Sequence, residues 1–289
     1  MIWLTLEVSR NQRRKMNSDK TSKTVTPMVV GLDRKVSRQI VSYGAGTNST
    51  AMVCEMVRRG ETIDAIVFCD TGGERPETYA HIEEFNRWLD AKGYPRVLTI
   101  RRAPAGIFNG DEKIGEATTL EEECLMRGQL PGIAYGFGSC SDKWKQQPFK
   151  TWLKTTGWND VVVCIGFDAD EPNRKIRSDK YELPYAKRFP LIEWDIGRAA
   201  CVGIIVASGV RPPGKSACFF CPSSRKHEIL ALPPDLKQRA LKIESRANLT
   251  SIAGLGRNFA WRDLIAADNA QCKMDFSGVE EVPCGCYDG

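Results

Sequence analysis

From residue 39 the chain alternates short β-branched runs with helical periodicity. "QIVSY" is followed by an apolar helix pattern over 49–59, then "IDAIVFC", then a helix pattern over 76–92 with Ile82, Phe85 and Leu89 on one face, then "RVLTI". A later helix pattern over 147–156 precedes "DVVVCIG", a continuous apolar run of the kind that forms a strand buried on both faces. Strands separated by helices pair in parallel through right-handed crossovers, which leaves few topologies open. The expected fold is α/β, a parallel sheet of about five or six strands with a mostly helical C-terminal part. The 289 residues suit one large domain with appendages.

Residues 1–37, with "RNQRRK" and "SDKTSK", read as a basic, mobile arm. Residues 38–210 carry the α/β pattern. Residues 211–289 hold a Cys-containing Pro/Gly-rich loop, polar helices over 225–248 and 258–268, and a cysteine-rich tail. Between them, "PLIEWDI" leads into a helix over 197–208, and Ala103 to Ser139 reads as a long irregular stretch, a length usual for a functional loop.

Several function classes are set aside early. Two histidines, His81 and His227, argue against a Ser-His-Asp hydrolase or a multi-histidine metal site. No apolar run approaches the roughly 18 residues of a membrane span, and "MIWLTLEVSR" has no basic leader before its apolar patch, so a soluble, cytoplasmic protein is expected. The formal charge of +5 permits an anionic partner, and a nucleotide alone would account for it. No zinc-finger, RNA-recognition or basic-zipper pattern supports sequence-specific reading of nucleic acid.

The chemistry gathers in loops. In "VSYGAGTNST", Gly44 and Gly46 permit tight turns between a strand and a helix, and Thr47, Asn48, Ser49 and Thr50 offer neutral donors beside a helix N-terminus, which suits an anion. Cys54, Cys69 and Cys164 lie in apolar patterns and read as core. Cys218 and Cys221 form a C-x2-C pair with ligand spacing for zinc or an iron-sulfur cluster, and Cys124 and Cys140 are the best further thiolates. A redox-active or merely buried pair is the alternative.

"YGAGTNSTAM" resembles the pyrophosphate loop of the N-type ATP pyrophosphatases, or adenine nucleotide α-hydrolases. That superfamily includes phosphoadenylylsulfate (PAPS) reductases, tRNA thiolation enzymes and the DNA phosphorothioation enzyme DndC. Against its usual SGGKDS, Gly44 replaces Ser, Ala45 a Gly, Thr47 the Lys and Asn48 the Asp, while Gly46 and Ser49 are kept. "CDTGGERPETY" resembles the second-strand motif, "GFDADEPNRKIR" the GxRxxEs..R segment with Phe167 in place of Arg, and "CSDKWKQQP" the CTxxxKxxP segment of phage-type PAPS reductases and DndC. The resemblance covers about two thirds of the chain, from roughly residue 39 to 230.

The resemblance implies an ATP or PAPS-type adenine nucleotide held by Tyr43, Gly44, Ala45, Gly46, Thr47, Asn48 and Ser49. It adds Asp70, Thr71 and Gly72, and, from the later segment, Gly166, Phe167, Asp170, Glu171, Arg174 and Arg177. Arg174, Arg177, Lys143 and Lys145 would replace the missing loop lysine, since a pyrophosphate leaving group needs positive charge. Asp168, Asp170 and Glu171 are the substitutes for the loop carboxylate if Mg²⁺ is used. Catalysis is assigned to Cys140, Lys143, Lys145 and Arg174, with Cys284 and Cys286 of "PCGCYDG" as mobile nucleophiles. Cys124, Cys140, Cys218 and Cys221 would hold a four-iron cluster, with zinc as the alternative.

The function implied is nucleotide activation by adenylation coupled to sulfur transfer, from a sulfur donor to an acceptor, which a nucleic acid could supply. Sulfonucleotide reduction by a cysteine nucleophile and a non-catalytic nucleotide-binding regulator or DNA-modification accessory are the competing readings.

Overall fold

The computed structural model of the protein describes residues 37–137, 139–180, 182–250 and 252–271. The basic arm expected over 1–37 lies, but for Ser37, outside them, as do Cys284 and Cys286.

In chain order the elements are β1 (Arg38–Ser42), α1 (Thr47–Arg58), β2 (Ala65–Asp70), α2 (Pro76–Lys92) and β3 (Val97–Arg101), followed by β4 (Ala105–Asn109), β5 (Glu112–Ala117) and α3 (Leu120–Arg127). Next come α4 (Ser139–Ser141), a π-helical turn Asp142–Gln146, α5 (Gln147–Thr156), β6 (Val161–Ile165), α6 (Pro172–Asp179) and β7 (Ala186–Arg188). The chain continues through α7 (Pro190–Glu193), α8 (Arg198–Ala207), α9 (Lys226–Leu230), α10 (Pro234–Arg246) and α11 (Trp261–Gln271).

Five strands form one sheet in the order β3-β2-β1-β6-β7, every pairing parallel. The apolar runs explain it. Ile40 and Val41 on β1 are both fully buried and point to opposite faces: Val41 packs with α1, α2 and α8, Ile40 with Val67, Val163, Phe149 and Leu153 on the side of α5. A strand buried on both faces has no polar alternation, which is why these segments read so plainly. Helix α2 starts with Pro76 in its first turn and stops at Gly93, whose φ of +73° is the left-handed conformation that ends helices. Its Ile82, Phe85 and Leu89 are buried, as their spacing predicts.

The stretch from Ala103 to Ser139 is not irregular. It holds the antiparallel hairpin β4–β5, helix α3 capped by Thr119, and a 3-10 turn Gly132–Tyr135. Its alternation is weak because the hairpin stands off the main sheet, with Ile107 buried and Phe108 exposed. The single polar helix expected over 225–248 is two helices, broken where Pro233 and Pro234 cannot supply helical N–H groups.

The C-terminal helices build their own core with the 120–144 region: Leu120, Trp144, Phe219, Phe220, Ile229, Ile243, Trp261 and Ile265 form one cluster. Glu244 on α10 pins it. Its carboxylate, 1% exposed, accepts the N–H groups of Leu255 (2.8 Å), Trp261 (2.9 Å) and Arg262 (3.0 Å), so it caps the first turn of α11.

Candidate functional site

The strand order reverses at β1. The chain leaves β1 toward β2 on one side, while β6 lies on the other, so a switch point lies at the C-terminal edge between β1 and β6, where open parallel sheets bind ligands. A cavity of about 930 Å³ opens there. Its first wall is the loop Tyr43–Ser49; its second is Ile165, Gly166 and Phe167 after β6; Val67 and Cys69 of β2 complete the floor. A Cβ at Gly166 would lie 3.0 Å from the Ser49 backbone, so the two loops meet main chain to main chain and a side chain there would have to push them apart.

The loop is held from within. Ser49 Oγ accepts the N–H groups of Gly44 (3.2 Å) and Gly46 (3.3 Å) and donates to the Gly46 carbonyl (3.1 Å). Ala45 adopts a φ of +52°, a left-handed conformation that costs a residue with a Cβ about 1 kcal/mol, at a position where SGGKDS has glycine. Behind the loop, Tyr43 OH bonds Thr50 Oγ1 (3.0 Å) and His81 Nε2 (3.1 Å); burial holds the His81 imidazole below the usual histidine range.

Asn48 bridges two charges. Its Nδ2 donates to Asp168 Oδ2 (2.6 Å), and its Oδ1 accepts from Arg198 Nη1 (2.5 Å), while Arg198 Nη2 donates to Thr47 Oγ1 (3.3 Å). Arg198, the first residue of α8, was not among the expected site residues. Nothing local in "DIGRAA" marks it, because its place depends on α8 packing against α1.

The cavity is cationic. Among the described residues Lys145, Arg174, Arg198, Lys215 and Arg225 line it, with one carboxylate, Glu228. Arg174 pairs with Glu171 (2.8 Å) and lies over the Phe167 ring (4.3 Å), so the phenylalanine that replaces the motif arginine serves as a platform for another. Lys215 pairs with Glu228, and Ser216 Oγ donates to the Gly44 carbonyl, tying the segment before the cysteine pair to the glycine loop. Burial alone would depress the Lys145 ammonium, but Glu74 (3.3 Å) and the Cys218 thiol outweigh it and raise its pKa.

Other expected residues lie elsewhere. Asp70 is buried against Arg101 (2.7 Å), and its other oxygen accepts from the Gly72 N–H and Tyr79 OH, both 2.8 Å. Asp170 accepts the Arg198 N–H (2.7 Å) at the start of α8. Arg177 is exposed and reaches the Asn173 carbonyl (3.3 Å). Lys143 turns to Glu123, beside a second cavity of about 800 Å³ that Cys124 and Cys140 also line. The π-helical turn aims Lys143 and Lys145 at these different carboxylates.

Thr71 and Gly73 grip the cysteine loop. Thr71 Oγ1 lies 3.0 Å from Cys218 Sγ, the Phe219 N–H donates to the Gly73 carbonyl (2.9 Å), and Phe220 packs on Gly73. Burial, then the Glu74 carboxylate, push the Cys218 thiol up to about 12. Cys124 is raised further, by burial and then by Cys140, Glu123 and Cys218; Cys124 is buried in the C-terminal core, and Cys140 and Cys218 pack against that same core. In donor type, though not in arrangement, they suit a soft metal. Among the described residues, however, no three His, Cys, Asp or Glu side chains are arranged as a ligand set.

Fold and site together define an α/β protein with a cationic cavity at the switch point of a parallel sheet. A scan against protein-family models gives no match, and neither does a search of curated protein sequences. Among solved structures the chain is similar to the U34-tRNA thiolase NcsA from Methanococcus maripaludis with its [4Fe-4S] cluster. The identity is 12% and the TM-score 0.41, over 87% of this chain and 76% of the thiolase. At that distance the likeness carries neither activity nor cluster across. Among the described residues no helix is long and apolar enough to cross a membrane.

Proposed function

We propose that the protein is an adenine-nucleotide-binding enzyme of the ATP pyrophosphatase type, which activates an acceptor by adenylation so that sulfur can replace the activated oxygen. The observation that carries this reading is the cavity at the β1/β6 switch point, where a glycine loop opens a helix and five cations face one carboxylate. Phosphates would sit against the loop and the N-terminus of α1. An acceptor oxygen attacks the α-phosphorus and pyrophosphate leaves with its charge met by the cavity's arginines and lysines. Asn48 has no charge to offer a metal ion, and Asp168 and Glu171 are engaged with Asn48 and Arg174, so the side chains favour charge neutralisation by protein cations.

Cys124, Cys140, Cys218 and Cys221 are the residues that would hold an iron-sulfur cluster, or zinc, in this reading; such a group would supply a site for the incoming sulfur. Protein purified without oxygen is expected to be brown, with the colour lost in Cys218→Ala or Cys221→Ala; a colourless protein with stoichiometric zinc selects zinc. Sulfonucleotide reduction has less support, because the described cysteine lining the cavity is Cys69, whose thiol burial pushes up to about 12.

The deciding experiment is pyrophosphate release from ATP in the presence of candidate acceptors. Release that depends on an acceptor supports the enzyme. Tight ATP binding with no release under any acceptor supports a regulator, and failure to bind ATP removes the reading altogether.

A further inference from the structure

The glycine loop lacks the lysine and aspartate that such loops carry, yet the structure brings one cation and one carboxylate to those two positions. Asn48 is the reason they can meet there. Its amide has one donor face and one acceptor face, and the described orientation satisfies both: the NH2 group toward Asp168 (2.6 Å), the oxygen toward the Arg198 guanidinium (2.5 Å). An aspartate at 48 would set two carboxylates against each other at that spacing. A lysine at 47 would compete with the guanidinium already bonded to Thr47 Oγ1 (3.3 Å). The two departures in the loop are therefore the changes that make room for residues supplied 120 and 150 positions further along the chain.

Arg198 also differs from its neighbours in the cavity. Lys145, Arg174 and Lys215 are each paired with a carboxylate, Glu74, Glu171 and Glu228 respectively. Arg198 forms no ion pair among the described residues; its guanidinium donates to two neutral oxygens and keeps further N–H donors and its full charge for a ligand. Asp170 fixes its backbone through the N–H of residue 198 (2.7 Å), and Asp168 in turn accepts the Asp170 N–H (3.0 Å), so loop, β6–α6 turn and α8 are one hydrogen-bonded unit. Arg225, which also lines the cavity, is the other lining cation without an ion pair among the described residues.

We infer that Arg198, set across Asn48, takes the place of the absent loop lysine and with Arg225 forms the diphosphate subsite of this cavity. The inference rests on the nucleotide reading above and assigns its anion-binding charge to residues outside the loop. Arg198 is a ligand contact; Asn48, Asp168 and Asp170 are positioning residues that hold it over the phosphates.

The test uses the full chain and titrates inorganic pyrophosphate, ATP and adenosine by calorimetry. Arg198→Ala is expected to weaken pyrophosphate and ATP binding about ten- to hundredfold, the range of a lost charge-assisted hydrogen bond, and to leave adenosine affinity unchanged. Adding Thr47→Lys to Arg198→Ala, which restores a cation from the loop itself, is expected to recover most of the loss. Lys242→Ala, which removes an exposed charge on α10 that does not line the cavity, gives the charge control. Pyrophosphate binding by Arg198→Ala equal to wild type overturns the inference and leaves the nucleotide reading standing. Equal loss of adenosine and pyrophosphate without rescue by Thr47→Lys shows Arg198 to be a structural tie and also overturns it. A wild-type protein that binds neither ATP nor pyrophosphate removes the nucleotide reading, and the inference with it.

Discussion

Replacing Glu244 by glutamine changes no volume and removes one charge, so its effect measures what that carboxylate does for the C-terminal core. One oxygen serves Leu255 and Trp261, the other Arg262, and the residue is 1% exposed, so water cannot substitute. In Glu244→Gln the amide oxygen keeps the two bonds of Leu255 and Trp261 in weaker, neutral form, while the NH2 group meets the Arg262 N–H, donor against donor. A bond to a charged group is worth about 1.5–3 kcal/mol, and weakening the other two adds to it, giving about 3 kcal/mol in total. For a protein of this size each kcal/mol moves the melting temperature by about 2–4 °C, so a fall of about 6–12 °C is expected in a calorimetric or circular-dichroism melt. Glu244→Ala, which orphans all three N–H groups and leaves a void, should fall further. A glutamine variant melting within about 1 °C of wild type, or losing as much as the alanine variant, would refute the reasoning.

Three further outcomes are expected. His81 is held neutral by burial, with its folded pKa below the unfolded value of about 6.5, so its contribution to stability is complete above that value and falls away as pH drops through the folded pKa. Melting temperatures of wild type should decline across that window, and His81→Gln should lack that part of the decline. Asp70→Asn should cost about 2 kcal/mol through the loss of Arg101, whose exposure limits the pair's worth, while ATP affinity measured by calorimetry stays unchanged, because Asp70 faces Arg101 and not the cavity. Gly73→Ala, whose Cβ would lie 2.6 Å from Phe220 Cε1, should destabilise by about 1–3 kcal/mol and speed alkylation of Cys218 in the native protein.

The central strands were legible in the sequence because burial on both faces writes a continuous apolar run, as in "VVVCI". The edge strand β7 was not, since "AKR" pairs along one side only and carries two cations. The β4–β5 turn holds an Asn-Gly pair, Asn109 and Gly110, a signal of a hairpin that the weak alternation around it obscured. The reversal at β1 appears only in the strand order, whereas the glycine loop could be read from local order. The charges that complete the cavity could not, because Arg198, Lys215 and Arg225 reach it through the packing of α8 and of the chain before α9, which leaves no local trace. The same holds for Asp70 and Asp170, whose positions in the motif are visible but whose partners, Arg101 and the Arg198 N–H, are tertiary.

The two adjacent glycines after β2 carry a consequence for how such a chain can change. A Cβ at Gly72 would lie 2.3 Å from Thr119 Cγ2, and one at Gly73 would lie 2.6 Å from Phe220. Each glycine is thus the mould for a side chain contributed by a different later segment. A recombinant that takes its first three strands from one parent and its cysteine loop from another would pair a hollow with the wrong filling, and the cost would not be the sum of the two exchanges. These segments are expected to pass between relatives as a matched set, with crossover points tolerated on either side of the set and penalised within it.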